Sequence, residues 1–347
     1  MKQLAFLTIA ILAIVTAAAH QPATMRNGYD HYPLRGAVRQ MKHYSSIASE
    51  RDGALVPDTI SHAYTMSLYE FNREGNVVHE LFFRTPHHDS STSARKECDV
   101  YYVYDERGNC TERRTIYHND SARYSHIVYY TYDDRGLLTE SYDLRTDGRK
   151  IRYNRYKYNR KRQKVAHQSR SSAPASHKEL TPYPQTRYKY NAAGQCSKEI
   201  TINNLGEVKG ITKMTYDDRG NLIHQKRVPR SNAKPQKGYI IMSSGNEFSR
   251  RVGIYRYDER GNKIESLSLS RNKSIEIKVE REFDEWDNCT RYRLYYTQND
   301  TTRLGESLAT QYEYDKQGNW IKRIALKEID GKFRPDMITV REIVYYE

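Results

Sequence analysis

The chain has 347 residues, of which 57 are Lys or Arg and 43 are Asp or Glu, and its mean hydropathy is -0.92. This composition excludes a multipass membrane protein and argues against a large apolar core. Disordered chains are poor in aromatic residues, whereas this chain has 31 Tyr, 7 Phe and 2 Trp. The tyrosines therefore predict an ordered structure despite the low hydropathy.

The N-terminus has the pattern of a secretory signal peptide. Lys2 precedes a mainly apolar run over residues 4–15, and Ala17 and Ala19 form a small-x-small cleavage site. The run is too short for a membrane-spanning helix, which needs roughly 20 apolar residues. We therefore predict a signal peptide over 1–19 and a single mature domain over 20–347, without a membrane span. The mature chain would be periplasmic, surface-associated or secreted.

The segment that follows, 20–60, lacks the repeat found later, and we predict an opening strand within 37–44. From residue 69 onward one phrase returns: an aromatic residue, any residue, an aromatic residue, Asp or Asn, two residues, then Gly and usually Asn. In the seven copies that match the phrase well, the glycine is Gly75, Gly108, Gly136, Gly194, Gly220, Gly261 or Gly318. Two worn copies have Arg162 and Asp287 in that place.

Each phrase predicts a tight β-hairpin turn. Asp or Asn suits the first turn position because its side chain caps the following backbone, and Gly accepts a left-handed conformation. In this register Asp105 faces Asn109 and Tyr104 faces Cys110. The clearest structural turn residues are Asp105, Gly108, Asp133, Gly136, Asp217, Gly220, Asp258, Gly261, Asp315 and Gly318.

The two aromatic positions of each copy share one side of the predicted sheet. The residues between them are mostly polar, so we expect the aromatic side to be partly buried and the other side to face water. Cys110, Cys196 and Cys289 occupy the same place after the turn, where a small apolar side chain fits. An oxidising compartment would permit disulfides, but these spacings, and that of Cys98, do not favour pairing.

Repeat spacing indicates the fold class. Tyr132 and Tyr158 are 26 residues apart, enough for two strands and two turns. Repeats longer than 26 residues have their additional residues at 85–97, 167–186 and 229–250, between successive hairpins. We therefore expect all long loops to lie at the same edge of the sheet, opposite the phrase turns. We predict an all-β, elongated and twisted antiparallel meander of repeated hairpins over about 69–347, open or spirally curved.

The phrase, as in Tyr102-Val-Tyr104-Asp105-Glu-Arg-Gly108-Asn109, resembles the YD repeat of rearrangement-hot-spot (Rhs) proteins. The resemblance covers about 69–319. It implies a twisted antiparallel sheet that coils into a hollow shell around a toxin in large members, and binding or scaffolding instead of enzyme activity. Nine copies are too few for that large shell, and the residues after Asn319 leave no room for a toxin domain.

One basic stretch has the character of a binding surface. Its cations and aromatic residues are Arg149, Lys150, Arg152, Arg155, Tyr156, Lys157, Tyr158, Arg160, Lys161, Arg162 and Lys164. Cations beside aromatic faces can hold anionic groups while the rings stack on sugars. The predicted compartment disfavours nucleic acid and favours anionic polysaccharide or another envelope polymer. A merely solvated strand remains an alternative, as does sheet packing for the tyrosines.

Catalytic, nucleotide and zinc motifs are absent, so we predict no enzyme activity, no cofactor and no metal. His87, His88 and Asp89 form the one compact group with ligand character, which a solvated loop also explains. The expected function is binding or scaffolding at the bacterial cell envelope, with anionic polymers or glycans as ligands. The alternative is a shell-like or chaperone-like partner of another secreted protein, acting through sheet-edge pairing.

Overall fold

The computed structural model describes residues 34–57, 65–84, 95–118, 125–171, 185–229, 252–269, 274–298 and 301–347. All regular elements within these ranges are β-strands. They are β1 (Val38–Arg51), β2 (Ala54–Pro57), β3 (Thr65–Phe71), β4 (Val77–Arg84), β5 (Arg95–Tyr104), β6 (Cys110–Tyr117), β7 (His126–Tyr132), β8 (Leu138–Arg145), β9 (Lys150–Tyr158), β10 (Lys164–Ser171), β11 (Gln185–Tyr190), β12 (Cys196–Ile202), β13 (Val208–Tyr216), β14 (Leu222–Pro229), β15 (Val252–Tyr257), β16 (Lys263–Leu269), β17 (Ile275–Phe283), β18 (Cys289–Gln298), β19 (Thr301–Tyr314), β20 (Trp320–Ile329) and β21 (Lys332–Tyr345).

Every repeated phrase forms the predicted turn. In the copy at 105–109 the amide of Asp105 donates to the carbonyl of Asn109, and the amide of Gly108 donates back to Asp105, both at 2.9 Å. Gly108 has a φ of 77°. The worn copies keep this geometry, because Arg162 and Asp287 adopt φ values of 62° and 65°. A side chain at this position is strained but does not abolish the turn.

The predicted register and faces are confirmed. Tyr104 pairs with Cys110 across the bulge that follows each turn. We call the side carrying the paired aromatic residues the tyrosine face, and the other side the opposite face. Tyr130 is 6% exposed on the tyrosine face, whereas Val103, between two tyrosines, is 50% exposed. A small core of Cys110, Val128 and Tyr130 lies on the tyrosine face.

Tyrosine hydroxyls link each hairpin to the one before it. The second tyrosine of a phrase donates to the carbonyl of the residue that follows the preceding turn. These bonds, 2.6 to 2.9 Å long, join Tyr104 to Val77, Tyr132 to Cys110, Tyr158 to Leu138, Tyr190 to Lys164, Tyr216 to Cys196 and Tyr257 to Leu222. Phenylalanine could fill the same space but could not satisfy that carbonyl, which explains why Tyr outnumbers Phe.

The strands pair in chain order as an antiparallel meander, as predicted, but the sheet is not open. β1, which covers the predicted opening strand and extends to Arg51, pairs with β21 on one side and with β3 on the other. The sheet therefore closes into a barrel of 20 strands. The prediction of an open or spiral sheet was wrong because β1 and β21 carry no repeat phrase that marks them as partners. Only β2, which extends from β1, has a single strand partner among the described strands.

Several predicted features lie outside the described residues: the signal peptide at 1–19, the centres of the three long loops, and the group His87, His88 and Asp89. All four cysteines are free, and Cys98 and Cys110 are buried. No helix in the described part of the chain has the length and apolarity to cross a membrane.

The turn geometry yields a prediction about stability. Gly108→Ala should lower the free energy of unfolding by about 1 kcal/mol, because a Cβ meets no neighbouring atom there and only the left-handed φ is penalised. Gly210→Ala is the matched control, since Gly210 lies in a strand without a left-handed φ and its Cβ would meet ordinary contacts from 3.6 Å. It should be neutral or stabilising. Equal losses in urea unfolding for the two variants would contradict this explanation.

The hydroxyl bonds yield a second prediction. Tyr132→Phe should cost about 1 kcal/mol, because the carbonyl of Cys110 loses its 2.8 Å bond while the ring volume is preserved. Tyr129→Phe on the opposite face is the control; it should change the free energy of unfolding by less than about 0.5 kcal/mol. Urea denaturation followed by circular dichroism measures both. A Tyr132→Phe protein as stable as the wild type would show that the hydroxyl bonds contribute nothing.

Candidate functional site

The basic stretch predicted as a binding surface begins at the end of the turn before β9 and continues through β9 and the next turn to the start of β10. Three of its arginines have acidic partners. Arg149 contacts Asp147 at 2.6 Å, Arg155 contacts Glu140 at 2.9 Å, and Arg152 lies 3.6 Å from Asp143. These arginines are exposed, but their charges are partly compensated by the neighbouring carboxylates.

Other members of the stretch pack against the sheet. The ammonium of Lys150 lies 4.2 Å from the ring centre of Tyr142, and that of Lys164 lies 4.9 Å from the ring of Tyr188. Arg162 donates to the carbonyl of Arg135 in the adjacent turn, at 2.7 Å.

The two tyrosines of the stretch are also used in packing. The ring of Tyr156 stacks on that of His167 at 4.7 Å. The Tyr158 hydroxyl bonds the Leu138 carbonyl, and burial raises the pKa of Tyr158 to about 12. Both rings therefore serve the sheet, and the structure does not present them as a stacking platform.

Three cations of the stretch remain available. Lys157, Arg160 and Lys161 are exposed, and none of them has an ion-pair partner among the described residues. Lys157 lies on the opposite face near the end of β9, and the other two lie in the turn that follows. These three residues are the part of the predicted surface that could contact an anionic ligand.

The structure adds a row of lysines that sequence reasoning missed. Lys189 of β11 pairs directly with Lys198 of β12, Lys198 pairs with Lys213 of β13, and Lys213 pairs with Lys226 of β14. We call these four residues the lysine row. Because neighbouring strands lie about 4.8 Å apart, the row spans roughly 14 Å across the opposite face.

The surroundings of the lysine row are almost free of negative charge. Strands β10 to β15 contain ten Lys or Arg and a single acid, Glu199. Glu199 pairs with Tyr188 and therefore belongs to the tyrosine face. The next acid along the opposite face, Glu265 of β16, already contacts Arg256 and Lys278. Like charges placed directly opposite each other destabilise a sheet, and no acid on the opposite face of strands β10 to β15 compensates the row.

Part of the row could have been read from the sequence. The phrase register places Lys189 opposite Lys198 and Lys213 opposite Lys226. The pairing of Lys198 with Lys213 depends on the turn that connects β12 and β13. In that turn the amide of Asn203 donates to the carbonyl of Glu207, and Gly206 adopts a φ of 81°. That turn repeats the Asn-x-x-Gly signal without the aromatic residues, which is why the phrase did not reveal it.

A second constellation surrounds Asp99, which the sequence also did not indicate. Its carboxylate accepts bonds from His79 Nε2 at 2.9 Å, His118 Nε2 at 2.7 Å and Lys96 Nζ at 2.8 Å. The other ring nitrogen of His79 lies 3.1 Å from Glu70. These residues come from β3, β4, β5 and the end of β6, so only strand pairing brings them together.

Electrostatics explain what the Asp99 cluster does. The Asp99 side chain is 4% exposed. Burial alone would raise its pKa, but the bonds from Lys96, His79 and His118 outweigh burial and lower the pKa to about 2. The arrangement is an ionic clamp between strands. No group of three or more His, Cys, Asp or Glu in the described residues has a geometry suited to a metal ion.

Comparisons with known proteins concern the fold. No family model and no curated protein matches the chain. Similar solved structures include TcdB2-TccC3-TEV, with a TM-score of 0.41 and 12% identity over 85% of this chain and 15% of that chain. A porin-like protein from Bacteroides uniformis has a TM-score of 0.37 and 9% identity, over 90% of this chain and 100% of that chain. The Photorhabdus luminescens Tc holotoxin pore has a TM-score of 0.23 and 11% identity, over 78% and 19%. The chain thus spans less than a fifth of both toxin chains.

The Asp99 cluster yields a pH-dependent prediction. A carboxylate with a lowered folded-state pKa adds stability above its unfolded value, near 4, and that stability is lost as the pH falls toward 2. Asp99→Asn should therefore cost about 2 kcal/mol at pH 7, and its difference from the wild type should shrink between pH 4 and pH 2. The control Asp134→Asn, on an exposed turn position, should change stability by less than about 0.5 kcal/mol. A pH-independent loss for Asp99→Asn in urea unfolding would refute the ionic origin.

Proposed function

We propose that the chain is an exported, non-enzymatic β-repeat protein that binds anionic polymers or acidic glycans at the bacterial cell envelope. Export is inferred from the signal-peptide pattern at 1–19, and the family resemblance of the repeat supports an envelope protein. The lysine row is the proposed binding surface, extended toward the rim by Lys157, Arg160 and Lys161. The proposal contains no catalytic step.

The cross-strand register of the lysine row carries this proposal. Other cations of the sheet contact acids: Lys278 contacts both Glu265 and Glu280, and Arg293 contacts Glu280. The lysine row lacks that compensation although its members face one another. A linear polyanion crossing β11 to β14 would neutralise all four charges at once and release their counterions.

The arrangement of the lysine row also favours one kind of ligand, an extended polyanion. The row follows directly paired positions across a continuous sheet surface; Lys189, Lys213 and Lys226 are exposed and Lys198 is partly exposed. Such a surface suits an extended chain with repeated anionic groups better than a compact small molecule. Binding would depend steeply on salt concentration, because its free energy comes from charge neutralisation.

The alternative function, a shell-like or chaperone-like partner acting through sheet-edge pairing, requires a free strand edge. Each strand of the described ring pairs on both sides, and β2 is the one described strand with a single partner. We therefore favour polyanion binding over strand addition.

The test is retention on a heparin-like sulfated polysaccharide across a salt series. The variant Lys189→Gln, Lys198→Gln, Lys213→Gln should bind at least about tenfold more weakly at low salt and show a shallower salt dependence. Its stability should not fall, because the substitutions relieve like-charge repulsion.

The control variant removes the same net charge from lysines that already have partners: Lys42→Gln, Lys322→Gln and Lys327→Gln, which contact Glu342, Glu313 and Glu306. It should lose much less affinity than the row variant. Equal losses would mean that only net charge matters, and absence of wild-type retention at low salt would refute the proposal.

A further inference from the structure

A cavity of about 50 Å³ lies where the last repeat turn meets the N-terminal segment. It is lined by Leu34, Arg35, Trp286, Asn288, Gly318, Asn319, Trp320 and Arg341. Two of these residues are cations, none is an acid, and the lining includes both tryptophans of the chain. The volume holds a group of a few heavy atoms, roughly three waters.

The residues around the cavity are held in place by the main chain and the turns. The backbone amide of Arg35 donates to the Asn319 side chain at 2.7 Å, and Asn319 donates back to the Arg35 carbonyl at 2.8 Å. Asn288 donates to the hydroxyl of Tyr314 at 2.7 Å. The Arg35 side chain is exposed and lies 4.3 Å from the ring centre of Trp286. The backbone of Arg35 thus fixes its position while its guanidinium remains at the cavity.

Gly318 lets Trp286 and Arg35 lie close to the turn beside the cavity. A Cβ on Gly318 would lie 2.7 Å from the ring of Trp286 and 3.0 Å from the guanidinium of Arg35. Any other residue there would displace both.

Trp320 forms a buried part of the cavity lining. Trp320 is 2% exposed, and its indole Nε1 is buried without a hydrogen-bond partner among the described residues. A buried indole N–H usually finds an acceptor, and leaving it without one is unfavourable. The guanidinium of Arg341, 5% exposed, lies 3.4 Å from the Trp320 ring centre. A cation and a tryptophan with an unpaired indole N–H therefore line the same small cavity.

We propose that this cavity binds a small oxyanion group, a sulfate, phosphate or carboxylate, through Arg35, Arg341 and the Trp320 indole. In the described part of the chain the lining contains donors and cations but no carboxylate, and the volume fits the anionic group alone. The site is distinct from the lysine row, which lies on strands β11 to β14. Because the cavity sits beside the β1–β21 closure, a bound anion would also stabilise that seam.

Intrinsic fluorescence tests the proposal directly, since both tryptophans line the cavity. Titration of the full mature chain with sodium sulfate, at constant ionic strength set by sodium chloride, should give a saturable change. Glucuronate and inorganic phosphate form separate arms that distinguish a sugar carboxylate from the free inorganic anions. Arg35→Gln should raise the apparent Kd for sulfate at least tenfold.

Arg107→Gln is the matched control, because Arg107 lies on another turn of the same rim and donates to the Asp134 carbonyl at 3.0 Å. It should leave the sulfate Kd unchanged, and so should the lysine-row variant. Trp320→Phe should weaken sulfate binding as Arg35→Gln does, with Trp286 as the remaining reporter. Absence of a saturable response in the wild type, or equal Kd changes for Arg35→Gln and Arg107→Gln, would overturn the proposal without affecting the polyanion test.

Discussion

The bond from a tyrosine hydroxyl to the preceding hairpin's backbone is the interaction on which the rest of the structure depends. A sheet with so few large aliphatic residues cannot rely on a deep apolar core. Each bond, as from Tyr132 to Cys110 at 2.8 Å, instead satisfies a carbonyl beside a turn and fixes the spacing of two hairpins. At the seam the Tyr346 hydroxyl reaches the carbonyl of Phe71, so the same kind of contact also ties the chain's last hairpin to its first.

The different composition of the two faces follows from that bond. Tyrosines commit one face to packing, which frees the opposite face to carry charge. Over most of that face cations and acids compensate each other, as in the contacts of Lys278 with two glutamates. The lysine row departs from this pattern in strands that contain one acid, and the departure is where we place the function. The proposed binding surface and the stabilising tyrosines thus lie on different sides of the same strands.

Local structure could be predicted from the sequence because it depends on short-range chemistry. The Asp-x-x-Gly turn determines the register of Tyr104 and Cys110, and alternation then determines which side chains are buried. Closure could not be predicted, since the pairing of β1 with β21 joins residues about 300 positions apart without a shared motif. The Asp99 cluster and the join between Lys198 and Lys213 were missed for the same reason: each needs the register of strands linked by turns outside the phrase.

Hydroxyl-linked hairpins close into a ring through β1, which pairs with both β3 and β21. Ser45 and Thr339 test this closure most directly, because their hydroxyls lie 3.3 Å apart across the seam. The variant Ser45→Cys, Thr339→Cys, treated with a short bifunctional thiol cross-linker and mapped by mass spectrometry, should give a 45–339 link within the monomer. Ser45→Cys with Thr212→Cys, whose second position lies on the distant strand β13, should give none. A 45–339 link that is absent, or that forms only between molecules, would contradict closure.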